Sequence, residues 1–219
     1  MKLERSAMEL ATETTPIKTG PENMKRRTRS NVYPVSESTR EPVVQDGVLG
    51  MIIFVVAEVM MFAGFISGFA IVKSQAPLWP PPGQPRLPLE ETALNTVALL
   101  ASGVVLFVAQ KKYRKDPDSC SKFLLGAMCL GLFFVGSQGV EWIALIKEGL
   151  TLTSSALGSF FYSIVGLHAL HAVVAIFGVG YAWYRLSRGW LPASVLNTAA
   201  VFWYFVVGVW PALYLTMYL

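Results

Sequence analysis

From residue 47 onward the chain alternates between long apolar runs and short polar breaks. The runs cover about residues 47–74, 92–111, 122–146, 154–184 and 195–219. None shows the every-other-residue alternation of a half-buried strand. Each meets or approaches the ~20 apolar residues that cross ~30 Å of hydrocarbon. In lipid the backbone must satisfy its own hydrogen bonds, so runs of this length predict helices. Glycine recurs in the third and fourth runs (Gly126, Gly131, Gly136, Gly139; Gly158, Gly166), which suits close helix packing. No convincing internal repeat is visible. The pattern predicts an all-α fold, a polytopic membrane bundle of five transmembrane helices over residues 47–219.

Residues 1–46 have a different composition, rich in Glu, Lys, Arg, Ser, Thr and Pro. No apolar stretch there resembles the core of a signal peptide. The stretch "KRRTRSNVYPVSESTREP" reads as a disordered tail. Two readings stand: a solvated tail with no specific task, and a segment that docks on a partner.

Composition agrees with the pattern. Of 219 residues, 53% are hydrophobic and 15% charged, too apolar for a soluble domain of this size. The net charge of +4 does not argue for nucleic acid, because most of the basic residues lie beside apolar segments. Cys120 and Cys129 have no metal-ligand spacing and fall at the start of one predicted helix and inside it, so no disulfide framework is expected.

The basic residues set an orientation. The tail holds eight (Lys2, Arg5, Lys18, Lys25, Arg26, Arg27, Arg29, Arg40), the second connection five (Lys111, Lys112, Arg114, Lys115, Lys122), and the fourth two (Arg185, Arg188). On the opposite side stand only Lys73, Arg86 and Lys147. The N-terminus is therefore expected inside, making the tail cytoplasmic, and the C-terminus outside. The first outer connection, "APLWPPPGQPRLPLEE", has six prolines in sixteen residues, which favours polyproline II over helix. Trp79 within it belongs at the membrane interface. The connection reads equally as a stiff contact for a neighbouring subunit and as a rigid linker.

Few ionisable groups lie deep in the apolar runs: Glu58, Glu141, His168 and His171, with Gln138 as a buried amide. Each is a functional candidate, because a charge in hydrocarbon is costly. Each is equally readable as a polar anchor between helices. At ~1.5 Å per residue, Glu58 is about 13 Å from the inner end of its helix and His168 roughly 10 Å above the same boundary. A contact of Glu58 with His168, direct or through water, would lower the cost of burying both. His171, three residues on, would continue the polar face. Gln138 and Glu141 are also three apart, near the outer end of the third helix, where a carboxylate reaches water.

Two histidines three residues apart on one helix suit a haem or metal site poorly. A di-iron carboxylate bundle wants Glu-x-x-His on two helices with two further Glu, and the chain has no Glu-x-x-His. No metal or cofactor site is expected in this chain, and no nucleophile motif, phosphate loop or nucleic-acid signature is present. A small proton-coupled transporter using Glu58 and His168 is one functional class. Such carriers often show paired repeats and helices broken in mid-membrane. The first apolar run contains no proline, and five spans do not divide into halves.

In chain order, several motifs resemble subunit III of the haem–copper cytochrome c oxidases. They are "AEVMMFAGF", "WPPPG", "GLFFVGSQGVEW", "FYSIVGLHALHAVVAIFG" and "FWYFVVGVWPALY", spanning about residues 48–215. Singly they are modest; together and in order they are specific. The last motif departs from the family: Tyr204 stands where His is usual and Val207 where an acidic residue is common. The chain resembles the short, five-helix form, which lacks the first two helices of the seven-helix form; the tail stands in their place.

The resemblance implies an accessory subunit of an aerobic respiratory oxidase in a bacterial cytoplasmic (inner) membrane. Such a subunit carries no redox centre; the haems and copper lie in partner subunits. It packs on oxidase subunit I beside other oxidase subunits, and a respiratory supercomplex is a further possible setting. It supports proton uptake, oxygen access and sustained turnover, and binds phospholipid. Trp79, Trp203, Tyr204 and Trp210 are then candidates for subunit or lipid contact. Subunits of quinol oxidases and of nitric oxide reductase systems resemble the same family and remain the alternative.

Overall fold

The computed structural model describes residues 46–77 and 89–218. The tail and Trp79 of the proline-rich connection lie outside the described residues. The described elements are five helices: α1 (Asp46–Gln75), α2 (Leu89–Lys112), α3 (Pro117–Lys147), α4 (Ala156–Ser187) and α5 (Ala193–Tyr218). All five are long and apolar enough to cross a membrane. Their ends fall within three residues of the apolar runs, except that α3 starts five residues early. Its first turn, "PDSCS", is polar, so hydrophobic patterning misses it. Capping explains the start. Asp116 precedes Pro117, whose fixed φ suits the first helical position, and its carboxylate accepts from the Ser119 N–H at 3.0 Å. Hydrogen bonding to the Ser119 side chain and backbone holds the Asp116 carboxyl below the usual carboxylate range.

Ser155 caps α4 in the same way, accepting from Gly158 N–H at 3.0 Å. Gly149 and Gly189 follow the last turns of α3 and α4 with φ of 94° and 74°. The next amides reach back: Leu150 N–H to Leu145 O at 3.0 Å and Trp190 N–H to Arg185 O at 3.2 Å. These are the bonds of a left-handed helix terminus, which glycine adopts without strain.

Among the described residues, α2, α3, α4 and α5 form a closed ring, each packing on its two neighbours, and α1 lies outside it against α4 and α5. Only 6% of the apolar window of α1 is buried, against 50% for α5. Lipid tails are as apolar as leucine, so apolar surface by itself does not hold such a ring together; packing and interhelical hydrogen bonds do. The packing is tight where side chains are small. A Cβ on Gly131 of α3 would come within 2.5 Å of the Trp203 ring of α5. That ring is 2% exposed, and its Nε1–H donates to Ser102 Oγ of α2 at 3.2 Å. It has little room to withdraw.

Gly131→Ala is therefore expected to destabilise the bundle by ~1–3 kcal/mol, the range for overpacking. Gly136→Ala, with nothing within 4 Å of its added Cβ, should be near neutral. Denaturant unfolding in detergent, run on both variants, checks the difference.

Candidate functional site

The polar side chains gather in two places. The first joins α1 to α4. Glu58 Oε2 lies 3.1 Å from His171 Nε2, with the two side chains 16% and 11% exposed. The contact is a close approach rather than an aligned hydrogen bond, since Oε2 has no partner of good geometry. His171 Nδ1 lies 2.8 Å from the carbonyl of Leu167 in its own helix. A carbonyl only accepts, so Nδ1 carries hydrogen. A proton held across this contact, on Nε2 or on the Glu58 carboxyl, would keep two lone pairs from facing each other. In either form the pair is neutral overall, which lowers the cost of its burial.

The expectation that Glu58 meets His168 is corrected: its partner is His171. Three residues turn a helix by about 300°, so the two rings diverge by roughly 60° around the axis. His171 faces the seam with α1. His168 points into the ring and is 1% exposed. Aromatic rings surround it: Trp210 of α5 at 5.0 Å, Phe134 of α3 at 6.2 Å and Phe62 of α1 at 6.3 Å between centroids. Its Nε2 has no hydrogen-bond partner. Depth counted along the chain places a residue to within about a turn and says nothing of its direction.

The second cluster joins α2 to α3. Glu141 Oε2 accepts from Thr92 Oγ1–H at 3.0 Å and from Gln138 Nε2–H at 2.8 Å, and Oε1 accepts from Asn95 Nδ2–H at 2.6 Å. Glu141 is 6% exposed and Gln138 3%. The expectation of a boundary patch reaching water is corrected as well: the pair turns inward and α2 covers it.

Trp203 and Trp210 also differ from expectation. Rather than facing a subunit or lipid, they are among the largest fully buried side chains, 2% and 1% exposed. An indole N–H in a bundle needs an acceptor, and α2 supplies both: Ser102 for Trp203, and Thr96 Oγ1 for Trp210 at 2.8 Å. Tyr204 is half-buried beside the groove between α1 and α5 and donates to Gln110 Oε1 at 2.6 Å. The Gln110 amide in turn donates to Asn197 Oδ1 at 3.3 Å. Thr92, Asn95, Thr96, Ser102 and Gln110 were all missed in the sequence. Their signal was there: they recur at helical spacing along one side of α2, as an uncharged polar stripe in an apolar run.

Among the described residues no three His, Cys, Asp or Glu side chains gather as metal ligands. The two histidines do not fit a haem or copper site. His171 has both ring nitrogens engaged, and His168 is enclosed by aromatic rings.

Tyr204→Phe should cost about 0.5–1.5 kcal/mol, the loss of one neutral hydrogen bond. Asn95→Leu should cost more, about 1.5–3 kcal/mol, because it strips a donor from a buried carboxylate. Thermal unfolding of the two variants in detergent gives the order.

The family model of cytochrome c oxidase subunit III matches residues 34–219. Among relatives, the cytochrome c oxidase subunit 3 of Tragelaphus imberbis is 32% identical over 188 residues, covering 81% of this chain and 71% of its own. That of Synechocystis sp. is 30% identical over 178 residues, covering 78% and 74%. A probable cytochrome c oxidase subunit 3 of Nocardia farcinica is 32% identical over 177 residues, covering 78% and 86%. With five membrane-spanning helices, polar seams and this match over most of its length, the chain belongs to the cytochrome c oxidase subunit III family, a multi-pass component of an oxidoreductase complex.

Proposed function

We propose that this chain is the accessory subunit that packs on the catalytic subunit I of a bacterial cytochrome c oxidase. In this reading it carries no redox centre, and the haems and copper belong to partner subunits. One observation carries it: most of the buried titratable and polar groups are engaged in holding helices of this chain together. Glu58 and His171 tie α1 to α4, Glu141 ties α3 to α2, and Tyr204 ties α5 to α2. Such a subunit acts by shape and position, supporting proton uptake, oxygen access and sustained turnover of its partner.

The basic-residue bias supports an N-terminus in the cytoplasm and a C-terminus outside the inner membrane. Arg185 lies 3.9 Å from the Trp190 ring and Arg188 5.3 Å from that of Tyr184. Cations set on exposed aromatics at a helix end suit anionic phospholipid headgroups, which supports lipid as a bound partner. A topology reporter fused at Leu219 should read as outside; a cytoplasmic signal would overturn the orientation.

Glu58 anchors α1, the helix with least packing of its own. Glu58→Ala should leave His171 without its partner, at a cost of about 1–3 kcal/mol, and lower retention of the subunit in the complex. Glu58→Gln should be milder, because an amide still bonds. Subunit retention and steady-state oxygen consumption are measured for both. Normal retention with an equal loss of turnover in both variants would sink the anchor and identify Glu58 as a proton carrier.

A further inference from the structure

The Glu141 cluster is built for an anion. Three donors converge on the two carboxylate oxygens. The ionised carboxylate suits all three donors; protonated, it has the Thr92 hydroxyl oxygen within reach as an acceptor for its own O–H. No Lys, Arg or His forms an ion pair with it among the described residues. The charged group near it on α2 is a second carboxylate, Glu91. Tyr218 of α5 lies near it and is hydrogen-bonded to Thr92, with Tyr162 of α4 and Tyr214 of α5 around Tyr218. A buried negative charge with neutral donors and no cation can be discharged by one small species, the proton.

Two further atoms give that proton a route. Gln138 Oε1 and Trp142 Nε1 are both buried and both without a hydrogen-bond partner. One is an acceptor lacking a donor, the other a donor lacking an acceptor. They stand four residues apart on α3, on the same helix face. A water that reached both would accept from the indole N–H and donate to the amide carbonyl. The exposed end of α3 at Lys147 and Glu148 is about 10 Å further along the axis.

We propose that Glu141 is a proton-binding site, whose proton arrives past the unpartnered Gln138 carbonyl oxygen and Trp142 indole. A hydronium arriving from the exposed end of α3 gives its proton to Glu141 Oε2 and leaves as water. The Gln138 amide turns about its terminal torsion. Oε1, which has no donor in the ionised form, then accepts the new carboxyl O–H. No electron moves, and the cluster gains one positive charge. The same change removes the charge-assisted part of the bonds to Thr92 and Asn95, so proton occupancy also sets how firmly α2 is held to α3.

The test is pH-dependent infrared difference spectroscopy on the intact oxidase complex, in H₂O and D₂O, between about pH 5 and about pH 9, a range wide enough to catch a shifted carboxyl. The expected result is a carbonyl stretch of a protonated carboxyl that grows as pH falls and shifts in D₂O. It should vanish in Glu141→Gln and persist in Glu58→Gln. Persistence there separates this site from the Glu58 pair, whatever that pair does. Should Glu141→Gln fail to assemble, Glu141→Asp keeps the carboxyl but shortens its reach, and the midpoint should move by at least half a pH unit. A band unchanged in the Glu141 variants, or no titrating band in the unmodified complex, would overturn the proposal.

Discussion

Most polar groups inside this bundle find their partners within the protein, because the surrounding hydrocarbon offers none. That constraint organises the fold. The helices are apolar enough to dissolve in lipid separately, so burial of leucine does not select one arrangement over another. Polar contacts do. Each of the α2–α5, α2–α3 and α1–α4 seams has at least one side-chain pair crossing it. α2 is the centre of this system. It looks like the least informative helix by composition, yet its Thr, Asn, Ser and Gln positions receive the indoles and phenol of α5 and donate to the carboxylate of α3.

The two buried carboxylates solve the same problem in different ways. Glu58 meets an imidazole, so the pair can share a proton and stay neutral. Glu141 meets only neutral donors, with no imidazole beside it to share a proton. The first arrangement suits a joint that must not come apart in lipid. The second leaves a site whose charge is open to change. Their positions match this difference. The Glu58 pair fixes the peripheral helix α1, which has little packing of its own, whereas Glu141 lies at the most extensive helix pair, α2 with α3, where a change in one contact can be tolerated.

The departure at Tyr204 and Val207 is intelligible in the same terms. Tyr204 keeps one interhelical bond, to Gln110. Val207 is 8% exposed and lies 3.2 Å from where a Cβ on Gly103 would stand. An acidic side chain there would be buried at a point of close helix approach, where desolvating its charge is costly. At this level the α2–α5 seam is closed by packing of Val207 against Gly103, and Tyr204 supplies a polar contact across the same seam.

The number, limits and apolar character of the helices were legible in the sequence because length and hydropathy alone decide whether a segment can span a bilayer. The five ordered motifs made the family legible as well. The start of α3 was visible only in its capping residues, since the first turn is polar. Partner choice was not legible. Glu58 pairs with His171 and not His168, Glu141 is covered by α2, and Trp203 and Trp210 point inward. Each of these depends on the rotation of one helix about its axis relative to its neighbours. A run that is apolar on all sides carries almost no signal for that rotation. Only the packed ring, with its glycine at Gly131 and its polar stripe on α2, sets it.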